Sequence, residues 1–459
     1  MSNSTTQQSV LFPDLFDKPL VVKFDQPNGS SDGGAVLLKA CDKRLELTER
    51  LAQCLRDVRQ PGKVDHEIRE MFQQRVFGIA CGYPDCNDAG RLADDPIHKM
   101  LVDRDPIDGD ALASQSTLSR FENSVGPKQL YRMGEVLAET VIERHRRRLG
   151  RKAKLITIEL DPTDDPTHGG QQLSFFNGHY DTWCYLPMVG FVKFNDEAEQ
   201  HLFTYVLRPG NVPAMQGALG ILKRLLERLI DAFPKARLLV RLDGGFACPE
   251  MLEFLEAAEV DYVIAMAGNA VLERMAETLM KKARRLSRES SQTEHVYGEC
   301  LYAAKSWEGK RRRIVIKAEV VRLDEREPKD NQRFVITNLP DPPKSVYEDI
   351  YCQRGDVENR IKELHHGLEI DRTSCTRFWA NQLRGLMTAA AFVLMQELRG
   401  RAARTSCARA QVSTLRERLI KLGAWVEESV RRIVLHFPST FPFAHEWKRI
   451  AQSLGVASG

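Results

Sequence analysis

Long apolar runs are missing from this chain. The longest uninterrupted one, Ala389 to Met395, is far short of the roughly 20 residues that a helix needs to cross a bilayer, so no membrane-spanning helix and no membrane partner is expected. Cysteine is sparse: 10 thiols scattered over 459 residues do not make a disulfide framework and fit a reducing, cytoplasmic setting. Cys81 and Cys86 are near neighbours with His66 and His98 flanking them, but no second pair at zinc spacing follows, and a structural metal is not expected there. The opening MSNSTTQQSVLFPDLFDK has no basic start followed by an apolar core, which argues against a secretory signal. A surplus of one charge is missing too. Lys+Arg 66 against Asp+Glu 63 leaves a net charge of +3, which by itself points to no partner.

What is present is an ordinary globular composition, 42% hydrophobic and 28% charged, enough to build a core and long enough for about three domains. The charge is unevenly distributed. The segment from Asn359 onward is basic, while residues 1–358 are net acidic apart from three compact basic runs: Arg144 to Lys154, Lys281 to Arg285 and Lys310 to Arg313. Any one run is as readily a solvated helix face as a binding site. Several on an otherwise acidic chain point toward a phosphate-backbone partner.

Along the chain, residues 1–34 read as a flexible arm ending in PNGSSDGG, a poor former of helix or strand. Residues 35–152 read as an all-helical region, with apolar spacings of three and four over 35–58 and 64–79 and a long helix from about Pro127 to Arg148. No strand is expected before residue 153. The pattern then changes at Lys154: LITIELD alternates, DTWCYLPMVGFVKF and HLFTYVLRPG read as further strands, and ARLLVRLD and VDYVIAMA are short apolar strands separated by helices. Residues 153–267 therefore predict a mixed α/β sheet. Residues 268–343 read as a basic helix followed by an antiparallel meander, a β-rich insertion. Helix resumes over 344–385 and continues through 386–459, with breaks near Gly367, Arg372 and Gly400.

Two aspartates stand at strand ends, Asp161 before Pro162 and Asp243 before Gly244-Gly245. Ligands of open sheets favour the carboxyl ends of strands, although singly such an Asp is as readily a turn cap. A third carboxylate, Glu358, lies in YEDIYCQRGDVENRIKELHHG, where Tyr351, Arg354 and Glu358 share one helical face with Lys362 beyond. Carboxylates from two strands and a helix suit paired Mg²⁺ ions; two such ions activate a water or 3′-hydroxyl and stabilise the leaving oxygen of a phosphodiester. Acidic ligands in a chain carrying basic patches fit a nuclease or strand-transfer enzyme.

ELDPTDDPTHGGQ, FNGHYDTWCYLP, RLDGGFACPEM, YCQRGDVENRIKELHHGL and DRTSCTRFWANQLR together resemble a DDE transposase of bacterial insertion sequences, more narrowly the insertion-sequence 1380 group. The likeness runs over most of residues 35–440, with the motifs in the expected order. It implies a ribonuclease-H-like α/β core with a β-rich insertion before the last carboxylate, and Asp161, Asp243 and Glu358 as the catalytic, metal-binding triad. It also implies Mg²⁺ as cofactor, as two ions replaceable by Mn²⁺. The DNA partners implied are the terminal inverted repeats of the element and the target, with a homodimer joining two ends. The related signature is Tyr, two residues, Arg, three, Glu, six, Lys. Tyr351, Arg354 and Glu358 match it, but the last position is His365, so either Lys362 or His365 takes that role beside the DNA. Arg120, in a short polar helix with Ser116, Thr117 and Asn123, and Arg147, in the first basic run, are the candidate DNA contacts of residues 35–152. Asp164, Asp165, His168, His179 and Asp181 read as polar turns, and Trp183 and Trp379 as core residues more readily than base-stacking ones.

Two other functions compete with this one. Glu159-Leu-Asp161-Pro-Thr163 approaches the Asp-x-Asp-x-Thr of a haloacid-dehalogenase-type phosphatase, but Glu159 replaces the nucleophile. A domesticated transposase that only binds DNA would have little use for three carboxylates, which repel phosphate.

Overall fold

The computed structural model describes residues 10–12, 16–18, 20–323 and 326–455. The first third is mainly helical, and its two principal helices are α1 (Ile68–Cys81) and α2 (Pro127–Leu149). At each start the side chain three residues on accepts from the N-cap amide, Glu70 from Glu67 and Gln129 from Gly126, both at 3.0 Å, and α1 ends on Gly82 in the left-handed region, where glycine carries no steric penalty. The sheet follows, as β1 (Leu155–Pro162), β2 (Met188–Phe194) and β3 (Gln200–Val206), then α3 (Ala218–Ala232), β4 (Arg237–Leu242), α4 (Pro249–Ala257) and β5 (Asp261–Met266). The insertion contributes α5 (Ala270–Ser290) and the meander β6 (Glu294–Tyr302), β7 (Arg312–Val321) and β8 (Lys329–Thr337), after which come α6 (Gly355–Leu368) and α7 (Phe378–Arg401).

All eight strands form one mixed sheet in the order β6-β7-β8-β5-β4-β1-β2-β3. β1, β4 and β5 are mutually parallel neighbours, while β2 and β3 on one side and β6 to β8 on the other run antiparallel. This is a mixed α/β fold whose five strands β1 to β5 agree with a ribonuclease-H-like core. The insertion does not stand apart: β8 pairs with β5 from Val263↔Thr337 to Met266↔Phe334 and so prolongs the core sheet.

α7 is buried along nearly its whole length and contains the longest apolar run of the sequence. A helix that is apolar all round belongs inside a protein, and α7 packs on α1, α2 and β3. Its few polar side chains are bonded. Gln382 and Gln396 accept from the Leu207 and Leu202 backbone amides at 2.6 and 3.1 Å, closing the free edge of the sheet. One apolar core runs through the N-terminal helices, the sheet and α7. No helix among the described residues is long and apolar enough to cross a membrane.

Several expectations need correction. Strands do occur before residue 153, at Val10–Phe12, Leu20–Val21 and Gly29–Ser30. The last of these joins a hairpin of Ala424–Ser429 and Arg432–His436 within the region expected to be helical; AWVEES and RIVLH mix aromatic and β-branched residues with polar ones, a strand pattern. The arm is therefore pinned at its end. Asp32 is fully buried, bonded to His98 Nε2 at 2.9 Å and to Lys421 Nζ at 2.7 Å, and a Cβ on Gly34 would overlap the Leu419 carbonyl. The rest of the 1–34 arm includes residues 1–9, 13–15 and 19, which lie outside the described residues. DTWCYLPMVGFVKF is two strands: Thr182–Tyr185 leaves the main sheet at Leu186-Pro187 and pairs with Asp165–Pro166 and Phe175–Asn177. Near the expected metal-free thiols, Cys81 and His98 meet Asp32 in a buried cluster, where the Lys421 ammonium already balances the carboxylate.

Candidate active site

Because β1 and β4 are parallel neighbours in the register Val240↔Ile158, their carboxyl ends emerge side by side. Asp161 is the penultimate residue of β1, and Asp243 directly follows β4. Asp161 is 7% exposed. Asp243 caps a short turn, its Oδ1 accepting from the Gly245 amide at 2.9 Å, so the turn-cap role and a place at the cleft coexist. Two residues deeper on the same faces of these strands, Glu159 and Arg241 form a buried ion pair at 2.6 Å. Arg241 also donates to the Ile350 carbonyl at 2.6 Å. That bond fixes the segment leading into α6 against the ends of β1 and β4.

The segment is not a uniform α-helix. Val346–Tyr351 is a π-turn and Cys352–Arg354 a 3₁₀ turn before α6 begins at Gly355. Arg354, at that junction, reaches all three carboxylates. Its Nη2 lies 2.9 Å from Asp161 Oδ2 and 3.8 Å from Asp243 Oδ2, and its Nη1 lies 3.2 Å from Glu358 Oε1. Three carboxylates thus gather around one guanidinium. Burial, with Asp243 and Glu358 nearby, outweighs the Arg354 guanidinium and holds the Asp161 carboxyl up at about 7. The site carries more negative charge than one guanidinium balances, and its donors are all oxygen, the chemistry of a hard divalent cation.

The other expected site residues are placed unevenly. Tyr351 is half-buried, packing on Tyr347 with ring centroids 5.6 Å apart beside the apolar cluster of Leu239, Val263 and Val315. His365 is held between Thr163 Oγ1 at 3.0 Å and Asp371 at 3.2 Å, two residues along the chain from Asp161. Lys362 is exposed on α6 without an ion pair among the described residues. Arg120 and Arg147 are exposed; Arg120 donates to Thr117 Oγ1 at 3.2 Å and Arg147 lies 3.9 Å from Glu143, and no contact joins either to the carboxylates. Asp165 is buried and accepts from Thr373 Oγ1 at 2.8 Å, a structural bond. Trp183 and Trp379 are not core residues: they are 59% and 38% exposed.

Of the cleft's further lining, the sequence reading named only His179, and only as a turn residue. Asn177, His179 and Tyr180, at the turn of the small hairpin, line a cleft of about 430 Å³ together with Asp161, Asp243 and Arg354. Burial and the nearby Asp164, Asp161 and Asp243 push the Tyr180 hydroxyl up to about 12. NGHYD carries no spacing that distinguishes this from any hairpin turn. Arg241 likewise looks like one charge in an apolar strand, and only its partner Glu159 on the neighbouring strand reveals its use.

The family model for transposase DDE domains, group 1, matches residues 12–458. No curated protein matches the chain. A match over nearly the whole length, on a mixed α/β sheet whose strand ends gather three carboxylates, leaves one assignment: the chain belongs to the transposase DDE domain group 1 family.

Proposed function

We infer that the chain is a cytoplasmic DNA transposase of the insertion-sequence 1380 type, which cuts the ends of its own element and joins the freed 3′-hydroxyls to target DNA. The observation that carries this reading is the convergence of Asp161, Asp243 and Glu358 on the Arg354 guanidinium. Asp161, Asp243 and Glu358 are the residues that would hold two Mg²⁺ ions, or Mn²⁺ in their place. Bound there, such ions supply the Lewis acidity that activates a water or a 3′-hydroxyl and stabilises the leaving oxygen.

In the first step water adds to the phosphorus at the element end and the P–O3′ bond breaks, leaving a 3′-hydroxyl on the element and a 5′-phosphate on the flank. In the second, that 3′-oxygen forms a bond to a target phosphorus, and the target's own 3′-oxygen leaves with a proton. Arg354, freed from the carboxylates, offers a planar fork to the reacting phosphate. Tyr351, with Lys362 or His365, contacts the DNA beyond, and Arg120 and Arg147 contact DNA from the N-terminal helices. Two ends joined to one target call for two copies of the chain.

Asp161→Ala, Asp243→Ala and Glu358→Gln should each reduce cleavage of a duplex carrying the element end by at least about a thousandfold while end binding persists, because a lost carboxylate removes nucleophile activation and leaving-group stabilisation together. Robust cleavage by any of the three removes that residue from the triad.

A further inference from the structure

The three basic runs of the sequence meet different fates in the fold. In the third, Lys310 and Arg312 both bind Glu256 at 2.6 Å, and Arg313 binds Glu299 at 2.5 Å. In the first, Arg144 and Arg148 are taken by Glu397 and Glu197 at 2.6 and 2.7 Å, while Arg146, Arg151, Lys152 and Lys154 are exposed with no ion pair among the described residues. On α5 only Arg284 is so engaged, by Glu277 and Asp330 at 2.9 and 2.6 Å. Arg274, Lys281, Lys282 and Arg288 are exposed with no ion pair among the described residues, and Arg285 has only a loose 3.8 Å contact with exposed Glu289.

The arrangement on α5 is ordered. Leu272, Ala276, Met280, Ala283 and Ser287 form the buried face, packed on β6 and β7. With 3.6 residues per turn, Arg274, Thr278, Lys281 and Arg285 fall within about 40° of the line directly opposite that face, and Arg288 about 60° from it. The one acidic residue within about 40° of that line is Glu289, which makes only the loose 3.8 Å contact with Arg285. Lys281, Arg285 and Arg288 are spaced four and three, so like charges adjoin, which disfavours a helix on its own. A face meant only for water interleaves the two signs; this one gives up helix stability to hold a predominantly positive stripe. Arg274 to Arg288 spans about 21 Å at 1.5 Å per residue, about six base pairs of duplex at roughly 3.4 Å each.

We propose that this stripe of α5 grips the phosphate backbone of duplex DNA without reading its sequence; the proposal rests on the transposase reading and adds the insertion to its DNA-contacting surface. Each cation neutralises one phosphate and releases its condensed counterions, so the contact is electrostatic, salt-dependent and indifferent to base order. It positions DNA from the insertion side of the sheet.

The test uses the full chain and the fourfold variant Arg274→Gln/Lys281→Gln/Arg285→Gln/Arg288→Gln. Affinity is measured across a salt series for two labelled duplexes of equal length, one taken from the DNA flanking the chain's own coding sequence and one of scrambled order. At roughly 0.9 per phosphate contact, four lost contacts should make the slope of log K against log salt shallower by about 3 to 4, equally on both duplexes. A change of less than about 2, or one confined to the flanking sequence, overturns the proposal. If the fourfold variant melts early, Lys281→Gln/Arg285→Gln carries the same comparison, with a slope change of about 2 expected and less than about 1 overturning it. Metal-dependent nicking by the wild-type chain separates the two levels. A wild type that neither binds nor nicks any duplex removes the transposase reading together with this one; a wild type that nicks, beside a variant that binds like it, removes this one alone.

Discussion

Arg354 ties its own helix to the ends of two strands. As the fourth residue before Glu358 it makes the expected intrahelical contact, 3.2 Å, and it also bonds Asp161 at 2.9 Å and lies 3.8 Å from Asp243. An intrahelical pair alone contributes about 0.2–0.5 kcal/mol and survives exchange for Lys. A fork that spans two strand ends and a helix does not, because an ammonium is a point charge on a flexible stem. Arg354→Lys should therefore slow cleavage and joining by about tenfold or more in single-turnover assays and leave end binding near the wild-type value, since positioning a reacting phosphate is worth more to the rate than to affinity. Near wild-type rates in both steps would reduce Arg354 to a partner of Glu358. At this scale Asp161 and Asp243 were legible in the sequence, because each ends a short apolar strand beside loop formers. Glu159 and Arg241 were not. Their pairing joins two strands 82 positions apart, and no local pattern encodes it.

Among the elements, α7 shows how closely the layers are fitted. It crosses β3 at Gly385, and a Cβ there would lie inside the ring of Tyr205, itself fully buried. Gly385→Ala should cost about 1–3 kcal/mol, seen as a lower urea midpoint with unchanged denaturant dependence; an unchanged midpoint would mean that the helix and β3 separate freely. The apolar character of α7 was visible in its sequence, but not that its glycine is a contact point, since a single helical glycine reads only as a weak spot. The segment bearing Glu358 was read as one regular helix. Its π and 3₁₀ turns arise where Arg241 takes the Ile350 carbonyl, a tertiary bond that local propensity does not register.

For the whole molecule, residue 152 marks a change of secondary structure and not of packing. The helices before it share their core with α7, and Arg144–Glu397 at 2.6 Å and Asp85–Arg384 at 2.9 Å tie them across the chain. Residues 1–150 made alone would expose that apolar face. The fragment should show helical far-UV dichroism without a cooperative melt, and a sharp melt of the isolated fragment would restore an independent N-terminal unit. Periodicity, strand-end aspartates and the Tyr-Arg-Glu spacing determined by themselves the α/β core, the order of its elements and the three candidate carboxylates, because each is written in neighbouring residues. The tertiary structure alone decided that the insertion prolongs the core sheet, that the hairpin of Ala424–Ser429 and Arg432–His436 captures Gly29–Ser30, that Arg354 sits among the carboxylates, and which basic side chains are taken up in ion pairs. Those outcomes depend on pairings between residues far apart in the chain, whose geometry exists only once the core has closed around α7.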